Sequence, residues 1–321
     1  MLFEKLADAH LDAGWSSIQQ AIQSLLAQPK SAIELLTSTY ASLNEMQQKL
    51  YLYSPQLVAR VDQQGSLDGA LLFEPPRLPD HRQGLEEGLR VLLTWLVGEG
   101  RTAEARGWAQ LSRVLTEHLP GLDYLDKGAQ VSLFCIGDKT SRFYLNLQPL
   151  PNESRVDILK HFDALDLYEK VHQLSAHQHL SLGGVGIEIL PDGFRTKLYV
   201  RGRLSTLVEE SRNCFPEIDG PKIDEASSGA FIRGNMDAEV AFESDTLGAL
   251  RIKWVYFVDR PETGMKCAEK WVSRSPHWRR LKTVLDTLGG DKSLFALGVE
   301  RDESESLPKR VNLYARKARD L

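Results

Sequence analysis

Five segments of this chain each read as two β-strands joined by a tight turn, and each follows a stretch with helical periodicity. The hairpins are "LVARVDQQGSLDGALLFEP" from Leu57, "QVSLFCIGDKTSRFYLNLQP" from Gln130 and "LGGVGIEILPDGFRTKLYVRGR" from Leu182. The last two are "AEVAFESDTLGALRIKWVYFVD" from Ala238 and "SLFALGVERDESESLPKRVNLYARK" from Ser293. Gly, Asp, Pro or Ser sits near the middle of each, where a hairpin reverses. Between them, as in "GLEEGLRVLLTWLVGEG" and "RVDILKHFDALDLYEKVHQL", apolar residues recur at three- and four-residue spacing. The plan is two helices then two antiparallel strands, five times over. The fourth helix pair, begun by "STLVEESRNCF", is the least marked.

Ten antiparallel strands in sequential hairpins can close into a barrel, which removes every sheet edge. Helices must then cover the outside, so apolar side chains belong on the outward face and polar ones are free to point in. The second strand of each hairpin tests this. Phe143, Leu145 and Leu147 alternate with Arg142, Tyr144, Asn146 and Gln148. Leu198 and Val200 alternate with Arg195, Lys197, Tyr199, Arg201 and Arg203. Ile252, Trp254, Tyr256 and Val258 alternate with Arg251, Lys253, Val255, Phe257 and Asp259, and Val311, Leu313 and Ala315 with Arg310, Asn312, Tyr314 and Arg316. A single strand of this kind is explained by a polar face that meets water. Four that obey one rule point to a basic interior.

That basicity is local. The formal net charge is −5 over 321 residues, so no global basic field favours nucleic acid. No apolar run reaches the roughly 18 to 20 residues that span a bilayer. The opening "MLFEKLADAHLDAGW" is acidic where a signal peptide is basic and then apolar. A cytoplasmic protein of one domain over residues 1–321, with no membrane or nucleic-acid partner, is expected. Cys135, Cys214 and Cys267 lack zinc-site spacing and read as small buried hydrophobes.

Basic side chains pointing into a cavity neutralise a multiply charged oxyanion, and aromatic faces stabilise a carbocation. An anion clamp beside tyrosines therefore suits ionisation of an allylic diphosphate, in an interior that keeps water from quenching the cation.

With the repeated plan, the Lys197-Leu198-Tyr199 motif and the stretches "SLFCIGDKTSRFYLNLQP", "GIEILPDGFRTKLYVR" and "LPKRVNLYARK", the sequence resembles the ABBA, or PT-barrel, prenyltransferases. The nearest likeness is to the cyanobactin peptide prenyltransferases, over roughly residues 50 to 318. The resemblance implies an α+β ABBA barrel, ten antiparallel strands from five αα-ββ repeats surrounded by helices. It implies transfer of a prenyl group from dimethylallyl (DMAPP) or geranyl (GPP) diphosphate to a side chain of a ribosomally made peptide, arginine or aromatic. It puts Arg142, Tyr144, Asn146, Arg195, Lys197, Tyr199, Lys253, Asn312 and Tyr314 around the donor. The chain has no Asp-Asp pair, so magnesium (Mg2+) is expected to be held mainly by the diphosphate.

The first hairpin departs from the family. Gln56 falls near a glutamate that acts as base toward a hydroxyl acceptor, and Asp68 near an arginine for the diphosphate. Strand parity offers Asp68, Glu74, Glu188 and Glu243 as inward carboxylates. Asp68, Glu188 and Glu243 are the candidates for acid–base work, and Gln56 and Glu74 for the acceptor. Donor length turns on Ala241 and Phe242: parity puts Ala241 inside and favours C10, and a slip of one residue would put Phe242 there and favour C5. Two rivals remain, a small-molecule aromatic or indole prenyltransferase and a non-catalytic barrel that binds an isoprenoid or phosphorylated ligand. Elsewhere, "GGVG" at Gly183 lacks the ending of a phosphate loop and reads as the start of a strand. His177 and His179 have no third ligand beside them. "SPHWRR" reads as packing with a solvated face.

Overall fold

The computed structural model describes residues 15–40, 55–62, 64–75, 81–118, 132–137, 141–147, 150, 152–162, 164–175, 179–190, 193–215, 238–244, 250–258, 260–300 and 308–318. Ten strands form one ring: β1 (Gln56–Asp62), β2 (Leu67–Phe73), β3 (Ser132–Gly137), β4 (Ser141–Asn146), β5 (Leu180–Leu190), β6 (Gly193–Gly202), β7 (Ala238–Ser244), β8 (Leu250–Phe257), β9 (Leu294–Glu300) and β10 (Arg310–Arg316). Every strand pairs antiparallel with its neighbours in sequence, and β1 pairs with β10 to close the barrel. All five turns within hairpins therefore lie at one end, the turn end. The helices join strands at the other.

The helices are α1 (residues 15–25), α2 (Pro29–Tyr40), α3 (His81–Gly98), α4 (Thr102–His118), α5 (Asn152–His161), α6 (Leu165–Ser175), α7 (Leu204–Cys214), α8 (Pro261–Val272) and α9 (Trp278–Leu288). Two precede each hairpin except the fourth, where α7 is described and residues 216–237 lie outside the described set. None of the described helices is long and apolar enough to cross a membrane.

The core lies between helices and barrel. Leu85, Leu89, Leu92 and Leu96 recur on one face of α3 and are all buried in it, as are Phe143, Leu145, Leu198, Val200, Trp254, Tyr256, Val311 and Leu313 from the strands. Burial of each such side chain stabilises the fold by about 1.5–3 kcal/mol. Trp108 of α4 is the largest, edge-on to Phe134 and Phe143 with centroids at 5.5 and 6.2 Å, and its indole N–H donates to the Ser141 hydroxyl. The "SPHWRR" stretch packs as expected: Arg280 donates to the backbone carbonyls of Ser24 and Leu25, capping α1. Among the described residues, the outward and inward series on β4, β6, β8 and β10 fall as their alternation requires, while Gln148 and Asp259 lie outside the described residues. Arg203 is the exception, because β6 ends at Gly202 and Arg203 is the exposed N-cap of α7.

Candidate active site in the barrel interior

The register decides which inward residues meet. Arg142 lies opposite Glu188, Glu188 opposite Arg195, and Lys197 opposite Glu243. Arg142 Nη2 donates to Glu188 Oε1 at 2.9 Å. Arg195 lies 3.8 Å from Glu188 and 3.4 Å from Glu243, and Lys197 pairs with Glu243. Thus the cationic face of β6 faces carboxylates on both flanking strands. Glu188, Glu243 and Asp68, the acid–base candidates, are each tied to cations. Burial opposes the charge on Glu188, but Arg142, Lys197 and Arg195 hold its carboxyl below the ordinary value.

Arg60, on β1, extends this charged layer. It is 8 % exposed, donates to Asp68 Oδ2 at 3.0 Å, and lies opposite Asn312 on β10. Its residue type was in plain view in "LVARVD", but no inward series on β1 drew attention to it. Burial pushes the Lys253 ammonium down to about 8, and Arg60 and Arg142 push the same way. Lys197 also falls to about 8, by burial and by Arg142 and Lys253, against the pull of Glu243. Arg60, Arg142, Lys197 and Lys253 are thus close enough to repel one another despite their carboxylates. Arg60 Nε, Arg142 Nε, Asp68 Oδ1, Glu188 Oε2 and Asn312 Oδ1 are buried without a hydrogen bond among the described residues. Such groups are costly to leave unmade, so the layer is built to receive a polar guest.

Two residues further along each strand, about 7 Å toward the helix-connected end, come the tyrosines. Tyr144 and Tyr199 lie with ring centroids 6.0 Å apart, over Gly186, where a Cβ would sit 3.0 and 3.1 Å from the two rings. The Lys253 ammonium donates to the Tyr314 hydroxyl at 2.6 Å, and the Asn312 amide N–H donates to the same oxygen at 3.4 Å. Burial raises all three phenols, so they stay neutral. Val58, Ala70, Leu72 and Cys135 make an apolar patch against Tyr144 and Tyr314, and burial likewise raises the Cys135 thiol. Ala241 joins this level, paired with Tyr199 and Lys253.

Beyond the tyrosines, at the helix-connected end, lie Gln56, Asn146, Arg201 and Glu239. Arg201 Nε donates to Glu239 Oε1 at 3.0 Å, and its guanidinium stacks 5.6 Å from the Phe257 centroid. Glu74, just past β2, is buried near the same rim.

Most of the expected residues therefore share one interior, in three levels. Phe242 does not: it packs outside, against Phe215 at 5.1 Å, because strand alternation turns it away from its neighbour Ala241. Arg60 and Glu239 are additions that the sequence reading did not single out as site residues. The "GGVG" stretch lies within β5, with a bulge between Leu182 and Gly184. His177 lies outside the described residues, and His179 is exposed. Among the described residues no group of three or more His, Cys, Asp or Glu could hold a metal ion.

No protein-family model matches the chain, and no curated protein matches it in sequence. Solved structures do match it. The 6-dimethylallyltryptophan synthase from Micromonospora olivasterospora, in complex with DMASPP and Trp, superposes with a TM-score of 0.64 at 12% identity, covering 97% of each chain. The 5-dimethylallyl tryptophan synthase from Streptomyces coelicolor, with the same two ligands, gives 0.58 at 15% identity over 95% of this chain and 93% of that one. NotF, in complex with brevianamide F and DMSPP, gives 0.57 at 10% identity over 95% and 92%. The chain shares the fold of these prenyltransferases over 95–97% of its length.

Proposed function

We propose that this protein is a prenyltransferase that moves an allylic group from its diphosphate to a small, electron-rich aromatic acceptor such as an indole. The observation that carries this reading is the crowding of Arg60, Arg142, Lys197 and Lys253 beside three neutral tyrosines. Two lysine ammoniums held down by burial and by neighbouring cations call for an anion of more than one charge, and the tyrosine faces next to them suit an allylic cation. Of the fold's relatives, two are named for tryptophan and one holds brevianamide F, which favours a small aromatic acceptor over the ribosomal peptide expected from the motifs.

In this reading the donor's C–O bond ionises and the electron pair leaves with the diphosphate. Arg142, Lys197 and Lys253, with Arg60, neutralise it. Tyr144, Tyr199 and Tyr314 shield the allylic cation from water until the acceptor's π-electrons form the new bond. Magnesium, if it accompanies the donor, meets Glu188 and Glu243 already paired with Arg142, Arg195 and Lys197, so the diphosphate would be its main holder. The small Ala241 in the tyrosine level supports acceptance of geranyl as well as dimethylallyl donors.

Mass spectrometry of the purified protein with DMAPP or GPP, against tryptophan, simple indoles and short peptides, tests the proposal. A gain of one prenyl mass on an indole is the expected result. Product on a peptide alone would restore the peptide reading. Saturable diphosphate binding without any product would favour a barrel that holds an isoprenoid and does not turn it over.

A further inference from the structure

Prenylation of an aromatic C–H or N–H releases a proton, and the residue that receives it must lie on the acceptor's side of the donor. We propose that Glu239 is that proton acceptor, and that the acceptor substrate sits at the helix-connected end of the interior, between Glu239 and the tyrosines. The inference rests on the prenyl-transfer reading and adds its second half.

Position is the first argument. The cations lie toward the turn end and the tyrosines one level further in, so a donor bound by the clamp extends its allylic carbon away from the turns. The acceptor approaches that carbon from the side opposite the leaving oxygen, which is the helix-connected side. Glu239 is on the inward face of β7 there, two residues beyond Ala241, itself opposite Tyr199. One strand step of two residues, about 7 Å, separates it from the tyrosine level.

Engagement is the second. The carboxylates nearer the turn end serve the cations: Asp68 holds Arg60, Glu188 holds Arg142, Glu243 holds Lys197 and Arg195, and Glu300 pairs with Arg310. Protonating any of them would disturb the clamp during the step in which it is needed. Gln56, where the family resemblance implies a glutamate, cannot accept a proton at all. Glu239 likewise makes one hydrogen bond, from Arg201 to Oε1, but Arg201 lies outside the clamp, so a proton on Oε2 leaves the diphosphate's cations undisturbed. Burial raises its carboxyl, against Arg201 and Lys253 which lower it, whereas Glu188 and Glu300 are held low. Tyr199 is a further titratable neighbour, and it stays neutral.

The step balances without a further reactant. The allylic C–O bond breaks with its electrons on the diphosphate, the acceptor's π-electrons form the new bond, and the ring proton passes to Oε2 of Glu239. The carboxylic acid returns that proton to water after product leaves.

The test compares wild type with Glu239→Gln and Glu239→Asp, with Glu209→Gln, at an exposed position of α7, as a control, using DMAPP and tryptophan. Binding of the non-reactive thiolo analogue of DMAPP is measured on each. The expected result is unchanged analogue affinity in Glu239→Gln, a kcat lower by about a hundredfold or more, partial recovery in Glu239→Asp, and little change in Glu209→Gln. The wild-type kcat should rise with pH through the Glu239 carboxyl, and that limb should vanish in Glu239→Gln. Glu239→Gln turnover within threefold of wild type, or survival of the acid limb in it, overturns the proposal and leaves prenyl transfer standing. Absence of wild-type turnover with every acceptor sinks both.

Discussion

The stem of Lys253 runs across Gly298: a Cβ on the glycine would stand 2.5 Å from Cε of the lysine and 3.1 Å from its Nζ. Gly298 lies on β9 opposite Val255 and Asn312, so the glycine clears a path by which the lysine reaches Tyr314. A Gly298→Ala substitution should therefore displace the ammonium without touching the outer core. We expect binding of the thiolo donor analogue to weaken about tenfold, with a melting temperature within a few degrees of wild type. Calorimetric titration beside a thermal melt checks it; unchanged affinity would remove Lys253 from the clamp.

Two lysines that titrate at about 8 make donor binding depend on pH. The ammonium forms bind the anion, so affinity should fall by more than about tenfold between about pH 7.5 and about pH 9.5, with proton uptake on binding. Stability should move the other way. The folded protein gives up these protons at about 8 and the unfolded chain near 10.5, so between those values the unfolded state holds more protons and stability rises with pH. The rise ends near pH 10, where unfolded tyrosines ionise before the buried ones do. Titrations in buffers of different ionisation enthalpy and urea melts at several pH values separate the two trends.

Lys197→Ala should cost most of the donor affinity and little stability. Its partner Glu243 keeps Arg195 at 3.4 Å, so no carboxylate is abandoned, and the burial penalty on the lysine disappears with it. Loss of the fold in this variant, rather than of binding, would show that the residue is structural.

Chelation should leave the reaction running. The interior brings its own cations to the diphosphate, and Glu188 and Glu243 are occupied by them. Excess EDTA is expected to lower turnover by less than about tenfold, a factor worth about 1.4 kcal/mol of barrier. Complete and magnesium-reversible loss would mean that the metal shares the leaving-group charge.

Trp108→Ala should destabilise the protein by about 3–5 kcal/mol, because it opens a cavity among Phe73, Phe134 and Phe143 and strands the Ser141 hydroxyl. Denaturant unfolding measures it. A smaller loss would mean that the aromatic cluster closes over the gap.

What could be read from the letters follows the range of each interaction. Strand alternation is local, so the parity that turns Ala241 inward also turns Phe242 outward, and the inward cations of β4, β6, β8 and β10 were visible as series. Ion-pair partners were not, because they depend on register across a gap. Arg201 meets Glu239 across 38 positions, and β5 carries a bulge between Leu182 and Gly184 that shifts its pairing with β6. Even Arg60 and Asp68, only eight residues apart around one turn, need the hairpin's register before either can be assigned. An aspartate where an arginine was expected looked like a defect of the first hairpin. Its arginine lies on the adjacent strand, opposite that aspartate.

The seam of the ring joins Gln56–Asp62 to Arg310–Arg316, strands from opposite ends of the chain. During synthesis, everything made before β10 leaves the ribosome is an open sheet with two raw edges, prone to pair with other chains. Closure then comes in a single event, when β10 joins β1. Water is shut out of the interior at that same moment, so a nascent or truncated chain can hold nearly all of its charged and aromatic side chains and still offer no dry chamber.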